Sequence, residues 1–210
     1  MIKGINTLSW VAILCGILGF DGSQIATATN GTSRDSAQDK FTLLNNHQQL
    51  ALQPTRPTET PDQWVELGRR VHGGFGSYIA LGIRIGLDAM QRLDAAPRTL
   101  DVTYYSGAIA PCPCVADGIM IATTSTPGQN LLRVATTTSP EGTFGVAEIR
   151  VSRQRSALRN RTTGTALRYT IPTTAKTQLD SWNQNTTGRQ RYDAVMSASE
   201  ETLFSVEVIP

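Results

Sequence analysis

Two cysteines separated by a single proline are the residues of this sequence with the clearest capacity for chemistry. They lie in the segment Pro111-Cys112-Pro113-Cys114-Val115-Ala116-Asp117-Gly118. Two soft sulfur ligands at this spacing either bind a thiophilic metal or cycle between a dithiol and a strained disulfide. Buried cysteines rarely occur as a proline-flanked pair, so we interpret Cys112 and Cys114 as a site rather than as two small core residues.

The chain that follows the pair favours thiolate chemistry. A short helix is predicted over Asp117 to Thr124, beginning at Val115 or Asp117. The free N–H groups at a helix start stabilise negative charge, so they should lower the pKa of both thiols. Pro113 stiffens the loop so that both sulfurs can face the same way. A disulfide closing so small a loop removes little unfolded-state entropy, and we do not expect it to stabilise the fold.

His72 is the second candidate. It ends a predicted helix and precedes Gly73-Gly74-Phe75-Gly76, where the backbone can approach a ligand closely. A histidine at a helix C-terminus is also favourable without any ligand, as a charge on the helix dipole. The other histidine, His47, lies in a polar stretch and is interpreted as solvated.

The first 28 residues are typical of an export signal. Lys3 precedes an apolar run from Val11 to Phe20, and Ala26-Thr27-Ala28 is a small-residue cleavage pattern. The run is far shorter than the ~20 residues that span a bilayer. The alternative is a lipoprotein attached through Cys15, although a bulky residue precedes that cysteine. We expect a periplasmic or secreted protein without membrane association after signal removal.

The rest of the chain divides into a leader and one domain. Residues 29–61 are polar and predict a flexible leader, and residues 62–210 predict a single domain. The roughly 180 residues left after signal removal suffice for one hydrophobic core. The formal net charge is only +2, which gives no support for binding nucleic acid.

The residue patterns alternate between helical and strand character. Thr60, Pro61 and Asp62 predict a helix start, and Gly82 and Gly86 lie four apart on a second helix, where they would let another backbone approach. The predicted helices are the one from Thr60, Ser77 to Leu93, Asp117 to Thr124, Thr173 to Trp182 and Gln190 to Ser199. The predicted strands are Leu100 to Ser106, Leu131 to Thr136, Phe144 to Ser152, Ala166 to Ile171 and Leu203 to Ile209.

Two stretches resemble a known family. His72 to Gly86 resembles the opening motif of the FmdE family, H-G-H-x-C/G-P-x-x-x-L-G-x-R-x-G; the family is named after one of the subunits of formylmethanofuran dehydrogenase. A second family block, a cysteine followed by V/L-x-D-G/A-I-Q and a threonine-rich turn, resembles Cys114 to Met120 and Thr123 to Gly128. Gln129-Asn130-Leu131 is similar to the G-N-L/I that follows. The resemblance covers about Asp62 to Ile171.

The resemblance implies an α+β fold, an antiparallel sheet with helices packed on it, in proteins that are often dimeric. It also implies a metal site where the two motifs meet. By matching motif positions, His72 takes the first histidine, Cys114 the cysteine and Asp117 the acid beside it. Cys112 is an additional thiol.

Several positions depart from the family pattern. Gly74 stands in place of the second histidine, Gly76 where many members have cysteine, and Ser77 where most have proline; the four-cysteine zinc module of some members is not seen. The remaining donors are two sulfurs and one nitrogen, which suit Cu(I). Zn(II) fits if Asp117 or water completes four ligands. The competing interpretation is a degenerate site that keeps the fold without the metal.

Three functions follow. The first is an exported FmdE-like metal-binding protein, with copper or zinc, that handles metal or supports a redox protein outside the cytoplasm. The second is a thiol- or metal-dependent enzyme in which Cys112 and Cys114 act as nucleophile or redox couple and His72 as acid/base. The third is a scaffold or sensor domain. A working component of formylmethanofuran dehydrogenase is disfavoured, because that chemistry is cytoplasmic and this chain is predicted to be exported.

The arginines between Arg150 and Arg168 are interpreted as a solvated loop, with an anionic partner as the alternative.

Overall fold

Six helices packed on one five-stranded mixed sheet make up the residues that the computed structural model describes, 56–152 and 165–210. This arrangement confirms the predicted α+β class. The predicted signal, most of the leader, Cys15 and His47 lie outside these residues. Within the two described ranges, every helix is too short or too polar to cross a bilayer. The predicted domain boundary near Asp62 stays a prediction.

The helices and strands alternate irregularly along the chain. The helices are α1 (Pro61–His72), α2 (Ser77–Arg92), α3 (Cys114–Thr123), α4 (Thr173–Asn185), α5 (Gly188–Ser197) and α6 (Glu200–Leu203), with a 3₁₀ turn at Pro127–Gln129. The strands are β1 (Leu100–Ser106), β2 (Leu132–Val134), β3 (Thr143–Val151), β4 (Ala166–Pro172) and β5 (Ser205–Ile209). The predicted last strand begins later than expected because Glu200–Leu203 forms α6 first.

The strands are ordered β2-β1-β3-β4-β5. The pairings β1–β3, β3–β4 and β4–β5 are antiparallel, as predicted. The β1–β2 pairing is parallel instead, with Val102 opposite Leu132. Parallel neighbours require a long crossover connection, and here α3 and the 3₁₀ turn lie between the two strands.

The sheet has one apolar and one polar face. Alternate residues of β1, such as Val102 and Tyr104, are fully buried. On the opposite face, Glu148, Arg168 and Glu207 are aligned across three strands. Arg168 donates to Oε1 of Glu207 at 2.8 Å and to Oε1 of Glu148 at 3.0 Å. Of the predicted loop arginines, Arg150 and Arg168 therefore lie on strands; the other four lie outside the described residues.

The start of α1 has the predicted capping pattern. The Thr60 side chain accepts from the Gln63 N–H at 3.4 Å, and the Gln63 side chain accepts from the Thr60 N–H at 2.7 Å. Pro61 occupies the first turn, where its missing N–H has no cost. Two of the free donors of the helix end are thereby satisfied.

Helices α2 and α3 cross with their backbones in direct contact, as the glycine spacing predicted. A methyl group on Gly82 would come within 2.8 Å of Cα of Gly118 and within 2.9 Å of the Ile119 nitrogen. One turn further, a methyl group on Gly86 would come within 2.8 Å of the Ala122 methyl. The crossing therefore requires glycine at Gly82 and Gly118.

We predict that Gly82→Ala destabilises the protein by about 2 kcal/mol. Helix propensity favours alanine by about 1 kcal/mol. Overpacking costs about 1–3 kcal/mol, and we expect the upper end here because the atoms in contact belong to the backbone, so the net loss is about 2 kcal/mol. Urea unfolding followed by circular dichroism measures the difference. The control is Gly128→Ala, where the nearest atom to the new methyl is 4.0 Å away. Equal stability of both variants would contradict a close crossing.

Candidate metal centre

His72 is the last residue of α1, and the chain turns sharply after it. Gly73 follows with φ of 84°, in the left-handed region, and its N–H bonds to the Arg69 carbonyl at 3.0 Å. Glycine adopts this conformation without the strain of a side chain. The turn directs the next residues toward α2 and leaves the imidazole at the helix end.

The cysteine pair lies at the N-terminus of a helix, whereas His72 lies at the C-terminus of another. Cys114 is the first residue of α3, one position before Val115 and three before Asp117, the two predicted starts. Pro113 acts as the N-cap, and its carbonyl accepts from the Ala116 N–H at 2.9 Å. No side chain caps this end. Cys114 is only 6 % exposed, whereas Cys112 is partly buried in the preceding loop. The positive end of the helix dipole therefore lies beside both sulfurs.

One ligand atom from each of His72, Cys112 and Cys114 lies within 4.8 Å of the other two. Donors around a shared tetrahedral ion lie about 3.5–3.8 Å apart, given typical metal–sulfur and metal–nitrogen distances. All three could therefore reach one ion after the loop adjusts so that the two sulfurs move apart and the imidazole stays within reach of both. The structure thus contains a potential thiolate–imidazole metal site.

The two sulfurs are bonded to each other in the structure. The bond joins residues only two positions apart, so it closes too small a loop to constrain the unfolded chain appreciably. Its significance is chemical, because a sulfur in a disulfide is not a thiolate ligand. Metal binding at Cys112 and Cys114 therefore requires the reduced pair.

Asp117 contacts the imidazole instead of joining the three-residue group. Its Oδ2 lies 2.7 Å from Nδ1 of His72, and the two side chains are 41 % and 29 % exposed. In the tautomer that carries its proton on Nδ1, the imidazole donates a hydrogen bond to this carboxylate, and the lone pair of Nε2 is free to bind a metal. Carboxylates commonly orient metal-binding histidines in this way. The predicted assignment of Asp117 as a direct ligand stays a prediction.

An open pocket of about 340 Å³ adjoins the potential metal site. His72 and Cys114 belong to both. Arg191 carries a permanent positive charge at the pocket wall, and His72 is the other basic residue among those that line it. The complete lining is His72, Gly74, Phe75, Gly76, Tyr78, Ile79, Cys114, Asn183 and Arg191.

Residues from the C-terminal helices hold the loop that follows His72. The Ser77 N–H donates to Oδ1 of Asn183 at 2.7 Å. Arg191 donates to the carbonyls of Phe75 at 2.8 Å and Asn183 at 2.7 Å. The sequence analysis missed Asn183 and Arg191. Their contacts with Ser77 and Phe75 join segments more than 100 residues apart, and no local sequence pattern predicts such contacts.

Tyr78, another residue of the pocket wall, has its hydroxyl bonded to Asp180, which lies outside the wall. Burial, and then a hydrogen bond to the Asp180 carboxylate, raise the pKa of the Tyr78 hydroxyl above its ordinary value. The phenol therefore stays protonated at any physiological pH. It donates to Asp180, which also accepts from Lys176.

An α+β domain that brings two cysteines and a histidine to facing helix ends has the features of a potential metal-binding protein. The chain belongs to the FmdE family: the family model described as "FmdE, Molybdenum formylmethanofuran dehydrogenase operon" matches residues 71–205. The match includes His72, Cys112, Cys114 and Asp117, and it extends beyond the two sequence motifs. No curated protein matches the chain.

We predict that Asp117→Asn weakens metal binding about 10- to 100-fold, the usual effect of losing a carboxylate that orients a histidine ligand. Competition titration with a chromophoric chelator measures the affinity. Asp101→Asn is the matched control, because that carboxylate pairs with Arg133 on the polar sheet face. A loss as large as that of His72→Ala would show instead that Asp117 is itself a ligand.

Proposed function

We propose that this protein is an exported metal-binding member of the FmdE family that holds copper or zinc at His72, Cys112 and Cys114. The observation that carries the proposal is the convergence of these three donors within 4.8 Å. The protein then acts in metal handling or supports a redox system outside the cytoplasm. A homodimer and a redox-protein partner are part of the proposal.

The donor set supports a soft or borderline metal. Two thiolates and one imidazole suit Cu(I), and they suit Zn(II) when water supplies a fourth ligand. The side chains also differ in exposure, since Cys114 is buried and His72 is at the surface. A metal bound there would be anchored on the α3 side and reachable from solvent, which supports a role in metal transfer or ligand binding.

The predicted signal over residues 1–28 supports an extracytoplasmic location. That location is oxidising, and cysteine pairs there readily form disulfides. In such an environment Cys112 and Cys114 would be expected to form the disulfide between them. Metal loading would then depend on a supply of reducing equivalents from a thiol donor or a redox protein.

We expect the reduced protein to bind one Zn(II) or Cu(I) per chain. Cys112→Ser, Cys114→Ser and His72→Ala should each lower the affinity by about a hundredfold or more, exceeding the effect of changing a supporting residue. Elemental analysis after anaerobic reduction and equilibrium dialysis provides the measurement. His47→Ala is the control at the other histidine. A reduced wild-type protein that takes up neither ion would reject the proposal and leave a scaffold domain.

The disulfide favours a second candidate function, thiol–disulfide exchange. An external thiolate would attack Sγ of Cys112, the more accessible sulfur, and form a mixed disulfide. The bond between the two cysteines breaks in the same step. The Cys114 sulfur departs as a thiolate stabilised at the start of α3. A second external thiolate then releases Cys112 and completes the two-electron reduction.

We predict that Cys114→Ser, which retains Cys112, reacts with glutathione disulfide faster than Cys112→Ser does, since Cys112 is more accessible. Mass spectrometry of the mixed disulfide over time gives both rates. Free cysteine at the same pH is the reference. If neither variant reacts faster than free cysteine near neutrality, an exchange activity is untenable, whereas the metal-binding proposal is unaffected.

A further inference from the structure

The potential metal site and the adjoining pocket share part of their walls. His72 and Cys114 contribute to both. Three protein ligands are the number that leaves an open position on a tetrahedral ion, and such open positions are typical of sites that bind exchangeable ligands. The pocket is therefore the space into which an exchangeable ligand would extend.

The pocket wall carries a positive charge that lacks an acidic partner among the described residues. Arg191 donates from Nε, Nη1 and Nη2 to the carbonyls of Trp182, Phe75 and Asn183. Surface arginines such as Arg189 pair with carboxylates instead. The main-chain carbonyls hold the Arg191 guanidinium in place without neutralising it, so its field favours a negatively charged occupant.

The size and the remaining wall point to a small organic molecule. The volume of about 340 Å³ lies at the lower end for small-molecule sites. Phe75 and Ile79 supply apolar surface beside the charged group. Gly74 widens the pocket, since no atom lies within 4 Å of the position that a side chain would begin from.

We infer that the pocket binds a small organic anion, one of whose donor atoms coordinates the metal held by His72, Cys112 and Cys114. The inference rests on the metal-binding function proposed above. Asp117 lies outside the pocket wall, hydrogen-bonded to His72, so it leaves the pocket side of the site to Arg191. The ligand has an anionic head and an apolar body of a few carbon atoms.

The experiment uses the reduced full chain loaded with Co(II), whose absorption bands report coordination. The probes are mercaptoacetate and cysteamine, which offer the same thiol donor but opposite charge at the far end. Mercaptoacetate should shift the bands and bind about tenfold more tightly than cysteamine, because its carboxylate approaches Arg191. The Co(II) content is measured before and after each titration, so that removal of the metal is recognised.

A variant tests the position of the ligand. Gly74→Leu can add a side chain at the pocket wall, because this glycine has no positive φ and no atom lies within 4 Å of the added Cβ. We expect it to retain Co(II) and to lose the response to mercaptoacetate. Gly128→Leu is the matched control at another glycine with open surroundings.

The outcomes distinguish failure of ligand binding in the pocket from failure of metal binding itself. Bound Co(II) with no spectral response to mercaptoacetate, equal affinity for both probes, or an unchanged response in Gly74→Leu would overturn the pocket inference and leave metal binding intact. A reduced protein that binds no Co(II), Zn(II) or Cu(I) would overturn both.

Discussion

The contact between α2 and α3 is the constraint on which the site depends. The two helices cross where neither has a side chain, at Gly82 and Gly118, so their backbones touch. Asp117, the neighbour of Gly118, thereby reaches the imidazole at the end of α1, from which a short loop leads into α2. Two segments that are about 40 residues apart in the chain meet because one interhelical distance is unusually small.

Local chemistry made much of the fold predictable. The start of α1 follows from Thr60 and Pro61, whose effects act within one turn, and β1 follows from alternating apolar residues. Gly82 was informative because its spacing from a second glycine has few explanations other than close packing. The start of α3 was predicted one to three residues too late, because the Pro113–Cys114 pair at the helix start resembles a loop. The parallel pairing of β2 was missed, since strand direction depends on how the chain crosses the sheet.

The site was predictable only in part, for the same reason. Residue type and the family resemblance singled out His72 and Cys114, and the structure brings both together with Cys112. The contact of Asp117 with Nδ1 of His72 depends on side-chain orientation, which the sequence pattern did not resolve. The pocket residues Asn183 and Arg191 belong to helices with no motif of their own. Their relevance arises from tertiary contacts alone.

The centre has two mutually exclusive chemical states. Bonded to each other, Cys112 and Cys114 form an uncharged disulfide beside the helix start. Reduced, they are two thiols near an imidazole, and a cation that bound both as thiolates would relieve the like-charge repulsion between them. In the proposed metal site, electron supply and metal content would therefore depend on the same atoms.

Arg191 donates a hydrogen bond to the Phe75 carbonyl and Asn183 accepts one from the Ser77 N–H, so α4 and α5 contact the segment that follows His72. Helices α4 and α5 thereby hold the segment on the histidine side of the centre, whereas Cys114 on the other side is itself part of α3. We expect loss of these hydrogen bonds to affect the position of His72 more than that of Cys114. Both of these helices lie within the family match, which continues to residue 205.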